Sequence, residues 1–133
     1  MTKEIFLGID VSKGYADFIP LDDKGESIEK SFQLTDNKAG HKQLTTLIKQ
    51  WLDDGAKSIY CGVESTGGYE NNWYYLLKGL QSQRKVFVSR LNPKVVKSTG
   101  GAKLRRTITD RVSAENIAFY ISKYKEDVDY GLK

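Results

Sequence analysis

The chain has 133 residues, 39% hydrophobic and 29% charged, with a formal net charge of +4, which suits one domain with a real core and excludes a second independent one. No apolar run approaches the roughly 20 residues that span a bilayer, and the N-terminus lacks the apolar stretch of a signal peptide. A single cysteine, Cys61, excludes an internal disulfide and a cysteine-rich zinc site, so the cytoplasm is the expected compartment.

Residues 3–11 read as a strand. Ile5, Leu7 and Ile9 are read on one face and Phe6 and Val11 on the other, and apolar side chains on both faces predict a central place in a sheet. Gly14 turns the chain into a second strand, 15–21, which Pro20 ends or places at an edge. Asp22-Asp23-Lys24-Gly25 is a tight-turn signal. Residues 27–34 alternate Ile28, Lys30 and Phe32 against Glu29, Ser31 and Gln33, the period of a half-exposed strand. The chain therefore opens as a three-stranded meander.

Thr35 or Asp36 is placed to cap the next helix. Its Leu44, Leu47, Ile48, Trp51 and Leu52 make a helical stripe, and Gly55 is placed as its C-terminal cap. His41 lies one turn before Leu44 and is expected to be structural or at the surface. Residues 58–63 form a fourth strand, with Cys61 buried. Trp73, Leu76, Leu77 and Leu80 mark a second helix, and residues 85–89, with Val86-Phe87-Val88, a fifth strand. Asn92-Pro93 breaks regular structure before a short helix at 94–97. Thr107 or Thr109 caps a last helix through about Lys125, with Val112, Ala114, Ile117, Ala118 and Ile121 on its buried side. Residues 127–133 are polar and expected to fray from a domain spanning 1–126. The order βββ-α-β-α-β-α predicts an α/β fold with a mixed five-stranded sheet flanked by helices, the ribonuclease H-like order.

The positive charge is concentrated. Residues 90–111 hold seven basic side chains (Arg90, Lys94, Lys97, Lys103, Arg105, Arg106 and Arg111) and one acid, Asp110, so that segment is +6 and the rest of the chain −2. A basic segment running up to an acid predicts a polyanion held nearby. The plain alternative is a solvated basic loop.

Three carboxylates stand at the ends of elements. Asp10 in Gly8-Ile9-Asp10-Val11-Ser12-Lys13 ends the first strand, Glu64 in Val63-Glu64-Ser65-Thr66-Gly67-Gly68 follows the fourth, and Asp110 in Thr109-Asp110-Arg111-Val112 opens the last helix. A phosphodiester is anionic and resists attack. Two divalent cations about 3.5–4 Å apart stabilise its attacking and leaving oxygens together. Mg²⁺ takes oxygen ligands and keeps waters, so a few carboxylates suffice. Neighbouring strands can supply Asp10 and Glu64, and a helix crossing the sheet end can supply Asp110. Each alone has an ordinary explanation: a turn or cap residue, a neighbour of a phosphate-binding loop, an acid favoured by the helix dipole. Together, in this element order, they predict a site for Mg²⁺ or Mn²⁺. Gly67-Gly68 lets the backbone approach a ligand. Ser12 and Lys13 are placed to contact phosphate. Among Tyr69, Trp73, Tyr74 and Tyr75, some can stack on bases, while Trp73 is assigned to helix packing.

These motifs, with Ser113-Ala114 and Ile117-Ala118 after the third, resemble the signatures of the DEDD transposases, the insertion-sequence recombinases related to the Piv pilin-gene invertase. Order and spacing match over nearly the whole chain. The resemblance implies a RuvC-like domain with a Mg²⁺-binding acidic tetrad that serves DNA strand cleavage and transfer. Asp10, Glu64 and Asp110 match its first three positions. Ser113 stands at the fourth, one helical turn after Asp110, where a hydroxyl is a poorer ligand than a carboxylate. Glu115 points about 200° away from Ser113 on an ideal helix and is not placed to substitute.

Family members are longer. Their C-terminal domain carries a serine nucleophile, and several use a bridge RNA to choose DNA. This chain is expected to be the N-terminal domain without that partner domain, so Ser12, Ser65 and Ser113 are not assigned as the nucleophile. The implied partners are DNA and a guide RNA, with no membrane. A homo-oligomer is implied for the full-length protein, and a monomer stays open for this fragment. Two other readings stand beside this one. A RuvC-like module could grip nucleic acid without cutting, for which Ser113 argues. A sugar-kinase or actin-type nucleotide-binding domain shares the meander and the Gly-Ile-Asp strand, but expects a phosphate turn after the first Asp and a second similar half, and the sequence contains neither.

Overall fold

The computed structural model describes residues 3–81, 85–99, 114–128 and 130. β1 (Lys3–Ser12) turns back at Lys13-Gly14 into β2 (Tyr15–Leu21), and β3 (Phe32–Thr35) returns along β2, both pairings antiparallel. β4 (Ala56–Glu64) lies on the other side of β1 and parallel to it, and β5 (Val86–Leu91) runs parallel to β4. The sheet order is β3-β2-β1-β4-β5. Four helices accompany it among the described residues: α1 (Lys38–Asp53), α2 (Asn71–Gln81), α3 (Pro93–Thr99) and α4 (Ala114–Lys123), the last followed by a 3-10 turn at Lys125–Asp127. This is the mixed, ribonuclease H-like α/β architecture that the element order predicts. No helix among the described residues is long and apolar enough to cross a membrane.

Alternation along the strands sorts two cores. Ile5, Leu7 and Ile9 of β1, Ile59, Cys61 and Val63 of β4, and Val86 and Val88 of β5 face α1 and α2, where Leu44, Ile48, Trp51, Trp73 and Leu77 meet them. Phe6 faces the other way, with Leu91, Val96 and the Ile117, Tyr120 and Ile121 side chains of α4, while Val11, expected beside Phe6, packs with Ile5, Leu7 and Ile9, since odd-numbered positions of the strand share one face. Apolar coverage on both faces explains why β1 is central. Cys61 is fully buried, and burial pushes its thiol well above the ordinary range.

Several boundaries move for identifiable reasons. The strand expected from residue 27 begins regular pairing only at Phe32, with one isolated bridge from Ser27 to Leu21. Asp22 folds the preceding turn by accepting the Lys24 and Glu26 N–H groups, and Glu29 accepts a 2.8 Å hydrogen bond from Trp51 Nε1 on α1. Those bonds draw the segment off the ladder. Pro20 therefore stays inside β2, beyond Phe18, where β3 does not yet pair. Asn37, rather than Thr35 or Asp36, caps α1 by accepting the Gly40 N–H at 2.8 Å. Asp36 instead binds His41 Nε2 at 2.7 Å, and the imidazole packs edge-on against Trp73, so His41 has the structural place expected of it.

The last helix ends at Lys123, short of the expected Lys125. Its expected caps, Thr107 and Thr109, and its expected core residue Val112 lie outside the described residues. Of the residues beyond the 3-10 turn, Val128 and Tyr130 are described. Tyr130 is buried, its ring rests against Tyr60 and Phe87, and its carbonyl accepts from Lys78 Nζ and Gln81 Nε2 of α2. An aromatic side chain that buries its area in this way offsets the entropy of ordering the chain behind α4.

Candidate active site

Asp10 does not end its strand as expected but lies two residues before the end of β1, and Glu64 is the last residue of β4, so both stand toward the C-terminal side of these parallel strands. The two strands are in register at Ile9 and Val63, so Asp10 and Glu64 occupy the next step on neighbouring parallel strands. Alternation turns both away from the α1–α2 core and onto the face that also carries Phe6, Gly8, Tyr60 and Gly62. Strands about 4.8 Å apart bring side chains of equal register within reach of one small cation. Both carboxylates are largely enclosed, with 8% and 7% of their surface exposed.

α4 lies directly on that face because two strand residues have no side chain. A Cβ at Gly8 would sit 1.9 Å from the Ala114 carbonyl oxygen and 2.6 Å from the Ala118 nitrogen. A Cβ at Gly62 would crowd Leu91, Ile117 and Ile121 at 2.9–3.1 Å. From Ala114 above Gly8 the helix runs antiparallel to β1 toward Glu4, whose carboxylate receives Lys125 Nζ at 3.0 Å just past the helix end. The helix start, where the dipole favours negative charge, therefore lies at the end of the sheet that bears Asp10 and Glu64.

Asp110 and Ser113, the other two predicted positions, lie outside the described residues, as do Lys103, Arg105, Arg106 and Arg111. Among the described residues no group of three His, Cys, Asp or Glu side chains is placed to hold a metal ion. The donor set of Asp10 and Glu64 suits a hard divalent cation: carboxylate oxygens, on one face, with like charges that a cation would neutralise.

The loop after Glu64 is built around a residue that the sequence reading missed. Ser65 N–H extends the β4–β5 ladder to the Leu91 carbonyl at 2.9 Å. Gly67 and Gly68 then take φ values of +79° and +122°, a region that side-chain-bearing residues avoid. Glu70 Oε1 accepts three hydrogen bonds from this loop, from Thr66 N at 3.1 Å, Thr66 Oγ1 at 3.0 Å and Gly68 N at 3.1 Å. Its second oxygen receives Arg90 Nε of β5 at 3.2 Å. Burial pushes the Glu70 carboxyl up, but the backbone N–H groups of Thr66, Glu70 and Gly68 and the Thr66 hydroxyl outweigh it and hold the group below the ordinary carboxylate value. The Thr66-Gly68-Glu70 spacing just before α2 was the available signal.

The predicted nucleic-acid contacts are differently placed. Lys13 is exposed in the β1–β2 turn, Lys94 is exposed in the first turn of α3, and Lys97 falls within α3. Arg90 is tied within the chain: besides Glu70 it binds Asn71 Oδ1 at 2.7 Å and lies 4.0 Å over the Tyr74 ring. Tyr69 and Tyr75 are exposed, whereas Trp73 is fully buried edge-on against Phe18, the packing role expected of it.

Comparison with known proteins gives these positions a family. No curated protein matches the sequence. Among solved structures, one titled a ROK family transcriptional regulator, homolog of the E. coli Mlc protein, has a TM-score of 0.44 at 11% identity, covering 75% of this chain and 30% of that one. A likeness at that level carries no argument about function, and the chain spans less than a third of that protein. A family model for transposases, the DEDD type of the IS110 group, matches residues 7–129 and so includes Asp10, Glu64 and the stretch that holds Asp110. The chain belongs to the DEDD transposase family of the IS110 type.

Proposed function

We propose that this domain is the cation-binding, strand-cleaving part of a DNA transposase, with Mg²⁺ or Mn²⁺ held by Asp10 and Glu64. The observation that carries the reading is the Ile9–Val63 register, which sets the two acids side by side at the rim. Asp110 is the third ligand in this reading. It precedes Ala114 by four residues in the sequence. Ser113, immediately before Ala114, holds the fourth position with a hydroxyl and weakens the site relative to a carboxylate.

Bound there, divalent cations supply charge stabilisation to the attacking and leaving oxygens of a phosphodiester. The chain's own part is to hold two largely enclosed carboxylates on one face of the sheet and to bring the polyanion to them. Lys13 lies in the turn just beyond Asp10, and Lys94, Lys97, Lys103, Arg105, Arg106 and Arg111 lead toward Asp110. Arg90 contributes less to that contact than its place in the sequence suggests, because Glu70 and Asn71 hold it. DNA is the substrate in this reading. A guide RNA, a homo-oligomer in the full-length protein and a cytoplasmic setting complete the proposal.

Calorimetric titration of the 133-residue chain with Mg²⁺ tests it. Saturable binding in the wild type that disappears in Asp10→Ala and in Glu64→Ala is the expected result. Absence of binding at millimolar Mg²⁺ would instead favour a module that grips nucleic acid without cutting it.

A further inference from the structure

We propose that Glu70 is a positioning residue for Glu64, fixing the end of β4 so that the Glu64 carboxylate is already in place when a cation arrives. The inference rests on the reading of Asp10 and Glu64 as a cation site, and adds a residue outside the acidic set. The bonds around Glu70 form a closed circuit. Val63 pairs with Arg90 across the β4–β5 ladder. The Arg90 side chain reaches Glu70 Oε2, and Glu70 Oε1 gathers the Thr66 amide, the Thr66 hydroxyl and the Gly68 amide. The chain from Thr66 back through Ser65, itself held by the Leu91 carbonyl, returns to Glu64. Every link lies within six residues of Glu64 or on the neighbouring strand.

Without Glu70 that circuit opens at its softest point. Gly67 and Gly68 lack the steric limits of other residues and sit at positive φ, so their conformation is set by the bonds made to them rather than by intrinsic preference. Glu70 is itself nearly inaccessible, with 4% of its surface exposed, and it makes these bonds from the residue whose carbonyl begins α2 by accepting Tyr74 N–H. A rigid helix thus anchors the loop. Groups that orient a metal ligand without touching the metal commonly change metal affinity about 10- to 100-fold when removed.

The test is Mn²⁺ binding to the full chain, followed by electron paramagnetic resonance at a temperature well below the unfolding midpoint of each variant. Glu70→Ala is expected to weaken Mn²⁺ binding about tenfold or more. Glu70→Gln is expected to bind between wild type and Glu70→Ala, because its amide oxygen still accepts from Thr66 and Gly68 while its NH2 group cannot accept from Arg90 Nε. Wild-type binding with equal affinity in Glu70→Ala would overturn the role of Glu70 and leave the cation site standing. Gln as damaging as Ala would also overturn it, since the loss would then follow the charge and not the clamp. A wild type that binds no Mn²⁺ would overturn the cation site and this inference together. Where Glu70→Ala fails to fold, Thr66→Val decides: it removes one bond of the clamp and is expected to weaken binding in the same direction, and unchanged affinity would overturn the proposal.

Discussion

Gly8 lies beneath Ala114 so closely that a methyl group at position 8 would meet the Ala114 carbonyl oxygen at 1.9 Å. The atom met is backbone, so a rotamer change cannot relieve the clash. Gly8→Ala must push the start of α4 off the sheet, and overpacking of this kind costs about 1–3 kcal/mol or more. Urea unfolding followed by circular dichroism should show that destabilisation. A neutral Gly8→Ala would mean that α4 does not rest on β1 as described.

Glu70 makes stability depend on pH in the acid range. Its carboxyl is held below the ordinary value, so the unfolded chain takes up this proton more readily than the folded one. Its contribution is fully present above the unfolded value of about 4.3 and is lost as pH falls from there through the lower folded value. Wild type is therefore expected to exceed Glu70→Gln in urea midpoint at neutral pH, and the two should converge on acidification below about pH 4. Parallel curves across that range would contradict the assignment.

Tyr130 closes the far end of the molecule. Its ring packs on Tyr60 and Phe87, and its carbonyl is held by α2. Tyr130→Ala is expected to cost about 3 kcal/mol, in the range of large aromatic truncations. A change under about 0.5 kcal/mol, typical of surface sites, would return the residue to a frayed tail.

Arg105 and Arg106 test the basic segment. Replacing both with Ala is expected to weaken binding of a DNA or RNA duplex and to flatten its dependence on salt, because a phosphate that no arginine neutralises keeps its condensed counterion. Binding measured across a salt series by fluorescence anisotropy gives both quantities. Unchanged affinity and slope would remove the segment from the interface.

The sheet was readable because its information is local. Strand period, the Gly14 turn and the leucine stripe of α1 each act within a few residues, and Glu64 follows from where β4 ends, whereas Asp10 lies two residues inside β1, which runs on to Ser12. What was not readable depends on distant partners. The late start of β3 follows from Trp51 reaching Glu29, residues 22 apart in the chain. Arg90 reads as a free cation in a basic run, and only the fold shows it committed to Glu70, 20 residues earlier. Glu70 looks like one more acid at a helix start until the loop is seen folded over it. Tyr130 sits among polar residues, and its burial depends on a surface assembled from β4 and β5. Asp110 and Ser113, legible as motif positions, lie outside the described residues.

Shared cation binding by Asp10 of β1 and Glu64 of β4 underlies the proposed cleavage chemistry. A crystal structure of the chain soaked with Mn²⁺, with anomalous scattering collected at the manganese edge, tests it most directly. The expected result is an anomalous peak in contact with oxygens of both Asp10 and Glu64, at about the 2.1 Å typical of small hard cations. A map with no peak there under saturating Mn²⁺, or with the two carboxylates turned to separate partners, would contradict it.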